Sequence, residues 1–109
     1  MKNIEHQIQC AIIRYLRINN IFCFAVPNGG QRNLIVAKKL KDEGSLSGVS
    51  DLIIVEDGTC LFVEVKQPKG RQQESQKIFE EEIIKHNMKY VIWRDIEDAI
   101  EYVKNKKNI

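Results

Sequence analysis

Asp57-Gly58 stands between two apolar runs, residues 52–55 and 60–65, the second carrying Glu64 near its end. An Asp-Gly pair in that setting is the strongest short-range signal for a two-residue hairpin turn of type I′, whose central residues both take positive φ. The turn sets the register by counting. Glu56 opposes Thr59, Val55 opposes Cys60, Ile54 opposes Leu61, Ile53 opposes Phe62, Leu52 opposes Val63, and Asp51 opposes Glu64. Opposed residues share a sheet face, with Cβ atoms about 4.5 to 5.5 Å apart. Lys66 lies two residues beyond Glu64 and shares its face. A slip of one residue would turn Asp51 to the other side. Three ionisable groups therefore meet at the open end of a hairpin otherwise built of core residues.

The remaining chain is read from hydrophobic period and punctuation. Residues 3–19 predict a helix with Asn3 as N-cap and an apolar stripe of Ile4, Ile8, Ala11, Ile12, Tyr15 and Leu16. Residues 21–26 predict a strand, broken by Pro27-Asn28-Gly29-Gly30. Residues 32–43 predict a helix with Leu34, Ile35, Ala37 and Leu40 apolar, lysines opposite, and Gly44 as its C-terminal cap. After the hairpin, Pro68 and Gly70 end the second strand. Residues 73–87 predict a helix with Gln76, Phe79 and Ile83 on one side, and 89–93 a strand. Asp95 then caps a last helix with Ile96, Ala99, Ile100 and Val103 inward, and the tail KNKKNI is expected to fray. The order α-β-α-β-β-α-β-α predicts an α/β fold, a mixed sheet flanked by helices.

Length and composition bound the classes. The chain of 109 residues, 43% hydrophobic and 29% charged, predicts one globular domain over 1–109. It can bury about two-thirds of its unfolded surface, enough for one core without staples. No apolar run approaches the roughly 20 residues of a membrane span, and the polar start MKNIEHQIQ has no signal-peptide character. A cytoplasmic location is expected. Cys10, Cys23 and Cys60 form no metal or disulfide pattern and predict reduced, mostly buried thiols. His6 and His86 are far apart, which leaves a hydrolase triad little to be built from. The net charge of +2 excludes little. Its distribution is more informative: Lys38, Lys39 and Lys41 cluster, as do Lys66, Lys69 and Arg71, away from Glu80, Glu81 and Glu82. Such patches suit a polyanion partner, although they also occur on ordinary solvated helices.

Two carboxylates held as close as Asp51 and Glu64 repel unless a cation joins them. Mg²⁺ takes one or two carboxylates, keeps several waters and binds phosphate oxygens. A neighbouring ammonium can hold the attacking water or touch the scissile phosphate. The set fits metal-assisted phosphodiester hydrolysis. The bland reading is that Asp51 opens a strand after a turn while Glu64 and Lys66 form an i, i+2 surface pair.

"SD" followed by "EVK" resembles the PD-(D/E)xK nuclease motif, with Ser50 where that superfamily usually has proline. Within it the chain resembles a stand-alone VRR-NUC (virus-type replication-repair nuclease) domain. The resemblance runs through "IEHQIQ", "VPNGGQR", "GVSDLIIV", "LFVEVKQPKGRQQESQK" and the closing strand and helix. It implies a restriction-endonuclease-like core and a nuclease using Mg²⁺, with Mn²⁺ able to substitute, and no organic cofactor. Asp51 and Glu64 would hold the metal, joined by the Val65 carbonyl and by Glu5 directly or through water. Lys66 would be the catalytic lysine and Gln76 the supporting glutamine. Glu5 also reads as an ordinary first-turn helix acid, and Gln76 as a buried glutamine satisfied by backbone.

The partner implied is DNA, branched by analogy with junction resolvases, in a bacterial or phage-infected cell. Asn28, Gly29 and Gly30 form either a simple turn or a close approach for DNA backbone beside Arg32. Lys38, Lys39, Lys69 and Arg71 would contact phosphates without sequence choice. The resemblance also implies a homodimer, for which Phe22, Phe24 and Tyr102 are candidate contacts, each equally able to be core. Other readings are a nuclease subunit recruited by a larger replication, repair or restriction assembly, a catalytically inactive nucleic-acid-binding module, and a structural protein with a surface ion pair.

Overall fold

The computed structural model describes residues 3–27 and 34–107. Helix α1 (Ile4–Ile18) leads to β1 (Cys23–Ala25), then α2 (Leu34–Asp42), the hairpin β2 (Leu52–Glu56) and β3 (Thr59–Val65), α3 (Glu74–Lys85), β4 (Lys89–Trp93) and α4 (Ile96–Lys107). The four strands form one mixed sheet in the order β1-β2-β3-β4. β1–β2 and β2–β3 are antiparallel and β3–β4 is parallel. A parallel pair needs a crossover, and α3 supplies it.

The hairpin register is the one counted from the turn, from Glu56↔Thr59 to Leu52↔Val63. Asp57 and Gly58 have φ of 54° and 77°, the two positive values a type I′ turn requires. Alternation then sorts the side chains. Leu52, Ile54, Val63, Val65 and Trp93 face a core completed by Ile12 and Leu16 of α1 and Ala99 and Val103 of α4. Full burial of each such Leu or Ile contributes about 2–3 kcal/mol. On the other face Phe79 of α3 meets Phe62 and Tyr90 edge-on, with ring centroids 5.7 and 6.2 Å away.

Three helices end on a left-handed residue: Asn20 after α1, Gly44 after α2 and Asn87 after α3. Each end has paired 6→1 and 5→2 bonds, as in Ser45 N–H to Leu40 O and Gly44 N–H to Lys41 O. The Asn3 side chain accepts the His6 N–H, as the N-cap reading requires.

Several expectations change. β1 is only three residues long, although Val26 N–H still reaches Asp51 O and Val55 N–H reaches Phe22 O. Ile4 is half-exposed at the end of its stripe. The carboxylate that closes the start of α4 belongs to Asp98, which accepts the N–H of Arg94 and of Asp95. The tail does not fray before Lys107, because Lys106 bridges Glu56 and Asp57 at 3.0 Å each and Lys107 reaches Asn19. Cys23 is buried, but Cys60 is only partly covered and Cys10 is exposed; all three are free thiols. The largest difference is α2. None of its residues is buried, and among the described residues it packs against no other helix or strand. Leu34 and Ile35 are 88% and 81% exposed. No helix is long and apolar enough to cross a membrane.

Candidate active site

The site is built at the open end of the hairpin. The β2–β3 ladder stops at Leu52↔Val63, and Asp51 lies just beyond it. Its main-chain carbonyl accepts the Val26 N–H just past β1, and its carboxylate Oδ2 accepts the Val65 N–H of β3 at 2.8 Å. Asp51 is thereby held from both sides. A strand residue directs its N–H and C=O to the same edge. The Val65 carbonyl therefore also faces Asp51.

Glu64 and Lys66, two residues apart, lie on one face of the chain beside Asp51, and both are buried, at 2% and 6% exposure. Lys66 Nζ stands 3.9 Å from Glu64 Oε2. The same oxygen accepts a hydrogen bond from Gln76 Nε2 at 2.9 Å. Gln76 Oε1 in turn accepts the Gln73 N–H at 2.7 Å, closing the capping box of α3. The glutamine thus faces the sheet as its spacing predicts and is satisfied at both ends of its amide. Glu64 Oε1, by contrast, is buried without a hydrogen-bond partner.

Burial pushes the Glu64 carboxyl up to about 8, with the nearby Asp51 adding to the effect through its charge and through a hydrogen bond that the protonated form can make to it, Lys66 opposing it and Glu5 contributing a little more. In the ionised form a buried carboxylate oxygen with no partner is costly. A divalent cation would satisfy it, so the donor set of Asp51, Glu64 and the Val65 carbonyl fits such an ion. Among the described residues no three Asp, Glu, His or Cys side chains gather into a ready ion-binding group.

Gly48 fixes the approach of the Asp51 loop to α3. It has φ of +84°, and a Cβ there would lie 2.2 Å from the Ser75 carbonyl oxygen and 2.9 Å from the Gln76 nitrogen. Only glycine lets these backbones touch. Ser50, in the place usual for proline, is fully buried and donates to Leu52 O at 3.2 Å.

The basic candidates separate. Lys69 and Arg71 are exposed on the loop that leaves Lys66. Lys38 and Lys39 ride on α2, away from the packed elements, and Lys38 pairs with Asp42 at 3.0 Å. Asn28, Gly29, Gly30 and Arg32 lie outside the described residues. Phe22 and Phe24 are exposed, with ring centroids 6.1 Å apart. Tyr102 is committed internally, to Glu56 through its hydroxyl and to Trp93 through its ring.

Sequence reading did not find Gly48, Arg94 or Gln72. Arg94 binds the loop after Lys66, and Gln72 links Glu80 to the Tyr90 hydroxyl. The positive φ of Gly48 leaves a signal only in its being glycine; the other two leave none.

A four-stranded mixed sheet with paired carboxylates and a lysine at the end of its central hairpin is the architecture of a nuclease superfamily. The profile of the VRR-NUC domain matches residues 5–94, and the chain belongs to that family. Two solved structures share the fold. One, titled "VRR_NUC domain protein", superposes with a TM-score of 0.77 at 19% identity, covering 96% of this chain and 88% of the other. The second, titled "VRR_NUC domain", gives 0.69 at 16% identity, covering 94% and 97%. No curated protein matches the sequence.

Proposed function

We propose that this domain is a divalent-metal-dependent DNA endonuclease, selective for branched DNA in the manner of a junction resolvase. The observation that carries the reading is Glu64, a buried carboxylate with Oε1 unpartnered, held by Gln76 and facing Asp51 and Lys66. Bound Mg²⁺ or Mn²⁺ would supply a Lewis acid for the phosphate and lower the pKa of a water. Asp51, Glu64 and the Val65 carbonyl would hold it, with Glu5 joining through water. Lys66 would orient the attacking water or contact the scissile phosphate. Gln76 keeps Glu64 aimed. Lys69 and Arg71, with Lys38 and Lys39 on a second segment, would bind DNA phosphates. A two-fold homodimer would place two such sites on symmetric DNA, and the exposed Phe22–Phe24 pair is the surface favouring it.

The test is cleavage of duplex, single-strand, flap and four-way-junction DNA by purified protein with Mg²⁺ or Mn²⁺. Metal-dependent nicking of junctions in opposed strands is expected, and undiminished cleavage by Asp51→Ala or Glu64→Ala would sink the mechanism. A recruited nuclease subunit is the second reading, favoured by the uncovered apolar residues of α2. A monomer by sedimentation at micromolar concentration, with flaps preferred over junctions, would select it.

A further inference from the structure

A single nitrogen gathers a whole turn beside the candidate site. The two N–H groups of Arg94 Nη1 are shared among the carbonyls of Gln67, Pro68 and Gly70, at 3.0, 3.2 and 2.7 Å. The turn is closed by its own bond, Gly70 N–H to Gln67 O at 2.9 Å. It begins one residue after Lys66, whose N–H is bound to Trp93 O, the residue before Arg94. Arg94, the residue after this rung, joins the end of β4 to the 67–70 turn. Its own backbone is anchored, since its N–H donates to Asp98 Oδ2 at 2.7 Å.

With its carbonyls turned to Arg94, the loop leaves Lys69 and Arg71 exposed. Beyond them Gln72 is held by Glu80 and Tyr90, and Gln73 by Gln76. Among these contacts, those of Arg94 hold the basic tip of the segment. A guanidinium is always charged and offers several donors in one plane. Charge-assisted bonds of this kind are roughly twice as strong as neutral ones.

We infer that Arg94 is a positioning residue for substrate: it holds the 67–70 turn so that Lys69 and Arg71 meet DNA phosphates next to the cleavage site. The inference rests on the nuclease reading for its substrate, but not for the clamp itself.

Two arms test it. Limited trypsin digestion reads the clamp without DNA. Arg94→Ala should be cut faster after Lys69 and Arg71, with Arg94→Lys intermediate, while the rest of the chain keeps its resistance. Binding to four-way-junction DNA with Ca²⁺ reads the consequence. Arg94→Ala should weaken binding and flatten the salt slope as far as Lys69→Ala/Arg71→Ala does, by up to roughly two units. The triple variant should be no weaker than the double, because the effects share one route. With Mn²⁺ the loss should fall on KM, with kcat held. Unchanged trypsin cutting, a triple variant that loses the product of both effects, or an unaltered affinity in Lys69→Ala/Arg71→Ala would each overturn it. Should Arg94→Ala fail to fold, Arg94→Lys alone carries the same comparisons. Cleavage by the wild-type protein separates failure of this inference from failure of the nuclease reading.

Discussion

Gln76 and Glu64, twelve residues apart, are joined by a 2.9 Å hydrogen bond from the glutamine amide to Oε2. The bond links the helix of the crossover to the strand it follows. Gln76→Ala removes a donor to a buried carboxylate and the closing bond of the α3 capping box together. Loss of a cap alone costs about 1 kcal/mol. We predict a drop of a few degrees in Tm and a fall in cleavage rate of roughly tenfold or more, a factor worth about 1.4 kcal/mol. Gln76→Glu should restore neither, because it sets a second carboxylate against Glu64. Thermal melts and single-turnover rates check both.

The raised Glu64 carboxyl makes stability depend on pH with a definite sign. The unfolded chain releases this proton near 4.5, whereas the folded chain holds it up to about 8. Between these values the folded state binds more protons, so its stability falls as pH rises through the window. Metal-free protein should melt higher at pH 5 than at pH 8.5, relative to Glu64→Gln, which lacks the titrating group. Mn²⁺ should reverse the difference at pH 8.5 and release protons on binding at pH 7, measurable by calorimetry in buffers of different ionisation enthalpy. A pH-stability curve identical in the two proteins would contradict this.

Glu64→Gln should also change stability without metal. Above pH 8 it removes a buried, ionised carboxylate whose Oε1 has no partner. We expect the metal-free Tm at pH 8.5 to rise by roughly 5 °C, about 1 kcal/mol for a domain of this size, while cleavage and the metal-induced shift in Tm are lost. Differential scanning calorimetry with and without Mn²⁺ measures both.

Gly48 and Gly44 form a natural pair for comparison. Both have positive φ, +84° and +105°, but only Gly48 lies against another backbone; a Cβ on Gly44 meets nothing within 4 Å. Gly44→Ala should cost about 1 kcal/mol, the strain of a left-handed residue. Gly48→Ala must also push the Asp51 loop from Ser75 and Gln76, so its loss in Tm should be clearly larger and its cleavage lost. Equal effects would show that the contact does not matter.

The other end of the hairpin offers a control. Lys106 sits 3.0 Å from both Glu56 and Asp57, and Glu56 also accepts the Tyr102 hydroxyl. Lys106→Ala should lower stability by about 1 kcal/mol or less, since the pair is partly exposed, and should leave cleavage unchanged. Urea unfolding and the junction assay test the two halves of this statement.

What the sequence determined by itself is local or counted from a local anchor. Asp57-Gly58 admits one turn, the turn sets one register, and the register puts Asp51, Glu64 and Lys66 on one face. Helical period likewise turned Gln76 toward the sheet, and Gly44 marked the end of the second helix. Tertiary structure decided what depends on how the crossover and the loops come to rest. The Gly48 contact with Ser75, the Arg94 clamp on the 67–70 turn and the Gln72 link between Glu80 and Tyr90 join segments with no shared period. The polar sequence beyond residue 103 predicts a loose tail, yet it is helical to Lys107 and held by ion pairs to a distant turn. α2 shows the converse: an apolar pattern is a demand for burial, and whether a surface meets that demand is set by the placement of the other elements, which leave Leu34 and Ile35 uncovered.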